Sequence, residues 1–290
     1  MYINCVDYQK IASTDLSGLV MQDHFKRYFI DLYGSYKMLS EINDMTLVYR
    51  YEDTAAYLFD NDRNQLLCSQ SDYLFFPSWG MIVDSNSAAP ELYLKNKYKW
   101  TASILDIRDC GSLCVYYALH LMLKMINNLS LSAVSCMTVE NVFPASDAFR
   151  DKTFPEINYA ALISFSSVKK NVNDARVLYS DIYQNRTHFS YLDRIMETIT
   201  QIAKRYNIDT NKYHTIARQI VDKKNIYLSL DLIPHPVSSG FLYYILDQIK
   251  KTSIKIDVKY VFVVDIDWMA NCFGVLLIEM GENDVNSIAQ

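Results

Sequence analysis

A cysteine set in a tight turn ahead of an apolar helix is the feature of this chain best suited to covalent chemistry. Residues 100–139 read WTASILDIRDCGSLCVYYALHLMLKMINNLSLSAVSCMTV. Residues 103–107 form a short apolar strand pattern carrying Asp106. Residues 108–112 are polar and small and hold Cys110 and Gly111. Residues 113–126 are apolar except for His120 and Lys124. The order is strand, turn, helix, strand, and a helix apolar on every side is expected to be buried on every side. A thiol where such a helix begins meets unpaired N–H groups and the positive end of the helix dipole, and both favour a thiolate. Cys110 is therefore a candidate nucleophile. The alternative is a thiol left in a turn with no reaction to perform.

A nucleophile needs a base or a donor beside it. His214, in NKYHTIARQI, is one candidate; its competing reading is a surface histidine at the start of a helix, beside Lys212 and Arg218. His235, between Pro234 and Pro236, is a second candidate donor. His120 reads as a hydrogen-bonded core residue. Asp265 and Asp267 are a close acidic pair, but two carboxylates without further ligands fit a loop role better than a metal site. Cys5, Cys68, Cys110, Cys114, Cys136 and Cys272 show neither a CxxC pair nor zinc spacing and read as reduced thiols. Neither a metal nor a cofactor is expected. Trp79, Tyr93, Tyr98 and Trp100 either line an apolar substrate site or pack together as core or interface.

The elements that must position these groups read as α/β. The chain has 290 residues, half of them hydrophobic, with a net charge of -5 and no dense Lys/Arg block. That excludes a disordered chain and argues against nucleic acid or an anionic membrane surface as the main partner. The start has no signal pattern, and the longest apolar run is too short to span a bilayer, so a cytoplasmic protein is expected. Only 7 residues are Gly while 23 are Tyr, which leaves little room for backbone to close around a ligand. Strand patterns fall at residues 2–6, 72–76, 103–107, 157–165, 177–183, 225–231, 259–265 and 273–280. Helix patterns fall at 19–39, from Pro90 to Leu94, and at 113–126, 191–206 and 240–251. Residues 60–64 read as a turn and 84–88 as a cap-rich segment. Such alternation predicts a largely parallel sheet. The two halves look alike in outline, a hint of an internal pseudo-twofold, although no sequence repeat stands out.

Three segments resemble the thiolase-fold condensing enzymes, specifically ketoacyl synthase III: SDYLFFPSWGMIVDSNSAAPELYLKNKYKWTASILDI, then DIRDCGSLCVYYALHLM with LSAVSCMTVEN, then NIYLSLDLIPHPVSSGFLYYILDQIKKTSIKIDVKYVFVVDIDWMANCFGVLLIEM. Together they cover about half the chain. The resemblance implies a five-layered αβαβα fold with two pseudo-repeated halves, residues 1–165 carrying the Cys110 elbow and residues 166–290. It implies acyl-CoA or acyl-carrier-protein thioesters as substrates and a dimer formed through the sheet that carries the elbow, with residues 100–109 and the strand near Val139 as contacts. Anchored on the following helix and strand it carries the nucleophile onto Cys110; counted from Asp106 the turn is one residue short and Gly111 falls at that position; the catalytic histidine is carried onto His214. The family's asparagine falls on Pro236, which has neither a side-chain donor nor an N–H. Its glycine-rich loop falls on Trp268, Met269 and Ala270, and its Gly-Asp-Gly-Ala strand on Glu156, Ile157, Asn158 and Tyr159. In length, in the D-I-R-D elbow and in these losses the chain is similar to the small subunit of the alkylquinolone-forming condensing enzyme. The expectation is a catalytically degenerate subunit that pairs with an active ketosynthase in secondary-metabolite or fatty-acyl-derived biosynthesis. The alternatives are an active acyl-transferring or condensing enzyme using Cys110, as a homodimer, and an unrelated α/β binding protein.

Overall fold

A computed structural model describes residues 1–12, 15–16, 18–20, 47–49, 51–78, 90–108, 111–141, 158–171, 174–185, 190–218, 230–233, 239–251, 258–267 and 270–281. In chain order the elements are β1 (Tyr2–Ile11), β2 (Gly18–Val20), β3 (Leu47–Tyr49), α1 (Tyr51–Phe59), α2 (Asp62–Ser69), β4 (Tyr73–Pro77), α3 (Pro90–Tyr98), β5 (Ser103–Ile107), a 3-10 turn (Gly111–Leu113), α4 (Cys114–Leu129), β6 (Ala133–Glu140), β7 (Asn158–Ser166), β8 (Arg176–Gln184), α5 (Tyr191–Arg205), β9 (Tyr213–Arg218), β10 (Leu230–Ile233), α6 (Phe241–Lys250), β11 (Tyr260–Asp267) and β12 (Cys272–Glu279).

Ten strands follow the order β10-β9-β11-β12-β8-β1-β7-β6-β4-β5. This row divides between β8 and β1, where Tyr2 opposite Arg176 is the one register pair. Each side of that join is a five-stranded sheet of the same design. The three outer strands run parallel (β5, β4, β6 in one half; β10, β9, β11 in the other), and two antiparallel strands complete each half. The pairing is thus mixed rather than largely parallel. The short β11–β12 connection dictates this, since adjacent strands joined by a tight turn must run antiparallel.

Strand alternation sorts the core into layers. On β6, Val134 and Cys136 face a central cluster, while Met137 and Val139 face an outer one. On β11, Val261 and Val263 face the same central cluster, while Phe262 and Val264 face outward. The central layer is built from α4 and α6, with Leu119, Met122, Phe241, Leu242 and Ile245 between the two sheets. Helix α1 covers the outer face of the first sheet through Ala55 and Leu58, and α5 covers that of the second through Ile195, Ile199 and Ile202. The result is the αβαβα arrangement.

Helix α5 follows from its sequence: an apolar stripe, a Ser190 N-cap whose side chain accepts from the Asp193 N–H, and Lys204 and Arg205 in the last turn. Four expectations are corrected. Residues 213–218 are a strand, not a helix start, because alternating Thr215, Ile216 and Ala217 pair on both sides with β10 and β11. The turn at 60–64 ends at Asn61, whose side chain caps α2 by accepting from the Arg63 N–H. Leu19 and Val20 lie in β2 rather than in a helix. Helix α4 is not buried all round, since Tyr117 is 44% exposed. The rest of the helix expected over 19–39 and the segment 84–88 lie outside the described residues.

Candidate active site

Cys110 falls in the sequence between the end of β5 and the 3-10 turn that leads into α4. Asp109 and Cys110 themselves lie outside the described residues, as do Trp79, His235, Pro236, Trp268 and Met269. The groups on either side of the turn define its surroundings. Upstream, the Arg108 guanidinium donates Nη2–H to both oxygens of Glu91 at 3.0 Å and its Nε–H faces Asp106. Glu91 opens α3 just after Pro90 and is buried; burial raises its carboxyl pKa against the opposing pull of Arg108.

Downstream, Gly111 adopts φ +57°, a left-handed conformation that an L side chain strains to reach. A Cβ there would also overlap the Asp267 carboxylate. Asp267 is the last residue of β11, from the other half of the molecule. Its Oδ2 accepts from the Ser112 N–H at 3.1 Å and lies 3.4 Å from the Ser112 hydroxyl, and its Oδ1 accepts from the Ala270 N–H at 3.0 Å. The 3-10 turn that leads into α4 is therefore capped by a carboxylate from a distant strand.

Two residues before Asp267, Asp265 is fully buried and its Oδ1 lies 2.8 Å from Nε of Arg218, the last residue of β9. Arg218 also donates Nη2–H to the Ile266 carbonyl at 2.6 Å. Burial pushes the Asp265 carboxyl up to about 6, with Asp267 adding to the rise; Arg218 and the Ile266 N–H oppose it. Tyr116, in the first turn of α4, packs its ring on Gly274, where a Cβ would come within 2.7 Å of it. Gly274 is the register partner of Asp265.

The second half repeats this construction. Glu140, the last residue of β6, accepts from the Ser239 N–H at 3.2 Å and from the Ser239 hydroxyl, immediately before α6. Tyr243 of α6 shares its hydroxyl with Thr138 Oγ1 at 2.7 Å and Cys136 Sγ at 3.1 Å. Burial pushes the Cys136 thiol up to about 12. The Tyr159 hydroxyl lies 2.6 Å from Ser239 Oγ. Thus Ser112 and Tyr116 correspond to Ser239 and Tyr243, and Asp265 and Asp267 to Thr138 and Glu140. Each pair is 127 positions apart, as 239 less 112 and 267 less 140 show. At that offset SLCVYYALHLMLK matches SGFLYYILDQIKK at the serine, both tyrosines, a leucine and the final lysine. A sequence repeat is present after all.

The structure separates one candidate base from the elbow. His214 is the register partner of Val261, six residues before Asp267 on β11. At a strand rise of ~3.3 Å per residue that is about 20 Å along the sheet from the level of Asp267. What β9 delivers to the elbow end is Arg218. His120 is hydrogen-bonded, its Nδ1 lying 2.8 Å from the Ser180 carbonyl oxygen. Among the aromatic residues Tyr98 stacks on Trp100 at 5.5 Å, with Phe59 against both, while Tyr93 is exposed; this is packing beneath α3. Among the described residues there is no group of acidic, His or Cys side chains that would hold a metal ion. Also among them, no helix is long and apolar enough to cross a membrane.

Two mirrored five-stranded sheets around two buried helices, with a strand-turn-helix elbow, define a thiolase-like fold. Solved structures agree. The chain is similar over 97% of its length to 98% of 3-oxoacyl-(acyl carrier protein) synthase III from Pseudomonas aeruginosa, with 8% identity and a TM-score of 0.57. It is similar over 96% of its length to 97% of ChlB3, described as an acyltransferase, with 10% identity and a TM-score of 0.63. The same holds for 97% of a variant of OleA from Xanthomonas campestris, with 96% of this chain covered, 10% identity and a TM-score of 0.60. No family model and no curated protein matches the sequence. At these identities the likeness establishes the fold, and it removes the reading in which the order of motifs is a coincidence.

Proposed function

We propose that this chain is a ketoacyl synthase III-like subunit without condensing activity of its own, a cytoplasmic partner of an active ketosynthase in secondary-metabolite or fatty-acyl-derived biosynthesis. The observation that carries this reading is the end of β9. A guanidinium held by Asp265 and the Ile266 carbonyl stands there, and His214 lies at the far end of the strand. Arginine keeps its proton throughout the working pH range and cannot act as a base. This is the character of the small subunit of the alkylquinolone-forming condensing enzyme, which the chain resembles.

The partner surface in this reading is the open side of β5. Among the described strands β5 pairs only with β4, so its other edge is available for another chain. Helix α4, which follows it, exposes Tyr117 and Leu129, with Leu121 and Met125 between them half-buried at i+4 spacing. The occupant we assign is the active ketosynthase subunit; a second copy of this chain is the alternative outcome.

A second reading, an active acyl-transferring enzyme that uses Cys110, draws on the left-handed Gly111 and the helix start beside it. Incubation with acyl-CoA thioesters decides between them. The proposed subunit gains no mass, whereas a stable adduct that disappears in Cys110→Ala supports the second reading and sinks the first. Co-expression with an active ketosynthase is expected to give a complex that co-purifies. A stable homodimer that captures none of the ketosynthases tried would count against the partner role.

A further inference from the structure

Strand β8 carries two tyrosines whose hydroxyls meet. Tyr179 and Tyr183 lie four residues apart on the strand, about 13 Å at a rise of ~3.3 Å per residue. Their side chains lean toward each other across Asp181, and the two phenol oxygens are hydrogen-bonded to each other. We propose that this pair is an oxidative coupling site: a one-electron oxidant joins the two rings by a carbon–carbon bond and leaves an intrachain dityrosine. The site lies outside the functional reading above and holds whether or not the chain condenses acyl groups.

Three observations carry it. The first is the contact itself. In a dityrosine the bond joins the ring carbons next to the hydroxyls, so the two oxygens of the product stay neighbours, as they already are in this pair. The second is that each ring is held from outside the pair. Tyr183 stacks on its register partner Phe273, with centroids 5.5 Å apart and an interplanar angle of 19°. Tyr179 meets Tyr206 edge-on at 6.4 Å, and the Tyr206 hydroxyl is itself fixed by donating to the Leu178 carbonyl at 3.0 Å. Groups held in place couple faster than groups that must first find each other. The third is a base. Burial first, then Tyr183 and Asp181, keep the Tyr179 phenol protonated, so loss of an electron needs a place for the proton. Tyr179 donates to Asp181 Oδ2 at 3.1 Å. Asp181 is anchored through Oδ1, which accepts from the Ile182 N–H at 2.9 Å and lies 3.5 Å from His120 Nδ1. Both tyrosines are only half-buried, so a small oxidant reaches them. Each phenol gives one electron to the oxidant. The Tyr179 proton goes to Asp181 and the Tyr183 proton to water. The two radicals pair as the new carbon–carbon bond, and the hydrogens on the joined carbons move to the oxygens and restore the phenols.

The experiment is brief photo-oxidation of the intact chain with tris(bipyridine)ruthenium(II) and persulfate, in which the ruthenium(III) formed is the one-electron oxidant. Trypsin cuts after Arg176 and Arg186 and nowhere between them, so both tyrosines fall in one peptide, VLYSDIYQNR. The expected product is that peptide lighter by two hydrogens, blue-fluorescent, and without backbone fragments from between Tyr179 and Tyr183. Tyr179→Phe and Tyr183→Phe are each expected to abolish it, with far-UV circular dichroism reporting folding. Asp181→Asn, which accepts the hydrogen bond but not the proton, is expected to form the link more slowly. A peptide that keeps its full mass while the exposed Tyr57, Tyr93 and Tyr117 are oxidised or link chains together overturns the proposal. So does an equal yield from the urea-unfolded chain, because the fold would then contribute nothing. Equal rates in the native chain and in Asp181→Asn overturn the step as written. Should a phenylalanine variant fold poorly, the comparison of folded with unfolded chain decides alone.

Discussion

The two helix starts at the centre of the molecule share a plan and differ in what they leave open. Both α4 and α6 begin just after a serine whose N–H and hydroxyl face a carboxylate at the end of an eight-residue strand from the opposite half. At α6 the arrangement is closed: Glu140, Ser239 and Tyr159 form one buried chain, and Tyr243 has two hydrogen-bonding neighbours. At α4 the backbone is forced through a left-handed glycine, and Tyr116 Oη, Arg218 Nη1 and Asp265 Oδ2 are buried without a hydrogen-bond partner. Satisfied polar networks rigidify and unsatisfied ones mark strain or function. Of the two helix starts, the one at α4 is the strained one.

The sharpest way to break this comparison is at the glycines. Gly111→Ala combines a left-handed φ with overlap on Asp267 and is expected to cost about 3 kcal/mol. Gly240→Ala, at φ −75°, is expected to change stability by less than about 1 kcal/mol. Urea denaturation of the two variants checks the difference, and equal losses would mean that the two turns are not differently strained.

Next in size are the carboxylates. Glu140→Ala and Asp267→Ala each orphan buried donors and are expected to cost about 2 kcal/mol in thermal or urea melts. A cost confined to one of them would show that only one cap is structural. The tyrosines come third. Tyr243→Phe loses a buried hydroxyl with two partners, about 1 kcal/mol, while Tyr116→Phe removes an unpartnered one and is expected to be neutral or stabilising.

The last prediction is a slope. Burial raises the Asp265 carboxyl from 3.8 to about 6, so folding takes up a proton between those values. Its contribution to stability is full below about 4 and is lost as pH rises through about 6. On this account the fold is more stable at pH 5 than at pH 7, and Asp265→Asn flattens that dependence. Urea melts at the two pH values test it, and an unchanged slope would remove Asp265 from the account.

Much of the fold was legible in the amino-acid pattern, because strands with both faces buried and a strongly amphipathic helix leave unmistakable periods. Strand β5 was placed residue for residue, and α5 to within one. Helix and strand were confused at β9, where a six-residue stretch beginning Tyr213-His214 carries a histidine and an arginine on one face and too short a period to choose. As a strand, β9 sets His214 near its start and Arg218 at its end, beside Asp265. The site was legible only in part. Asp265 and Asp267 stood out as a close acidic pair but read as a loop; both lie in β11, and their partners Arg218 and Ser112 are remote in sequence, so no local pattern announces such contacts. The repeat at an offset of 127 is faint in the sequence, because five shared positions are thin when spread over a helix.

The caps also have a bearing on how the chain is made. Ser112 meets its carboxylate 155 residues later, and Ser239 meets one already made 99 residues before it. On the ribosome Ser239 finds Glu140 already made, whereas Ser112 waits until β11 and Asp267 have been synthesised. Until then the Ser112 N–H lacks its carboxylate, and the two helix starts are completed at different stages of synthesis.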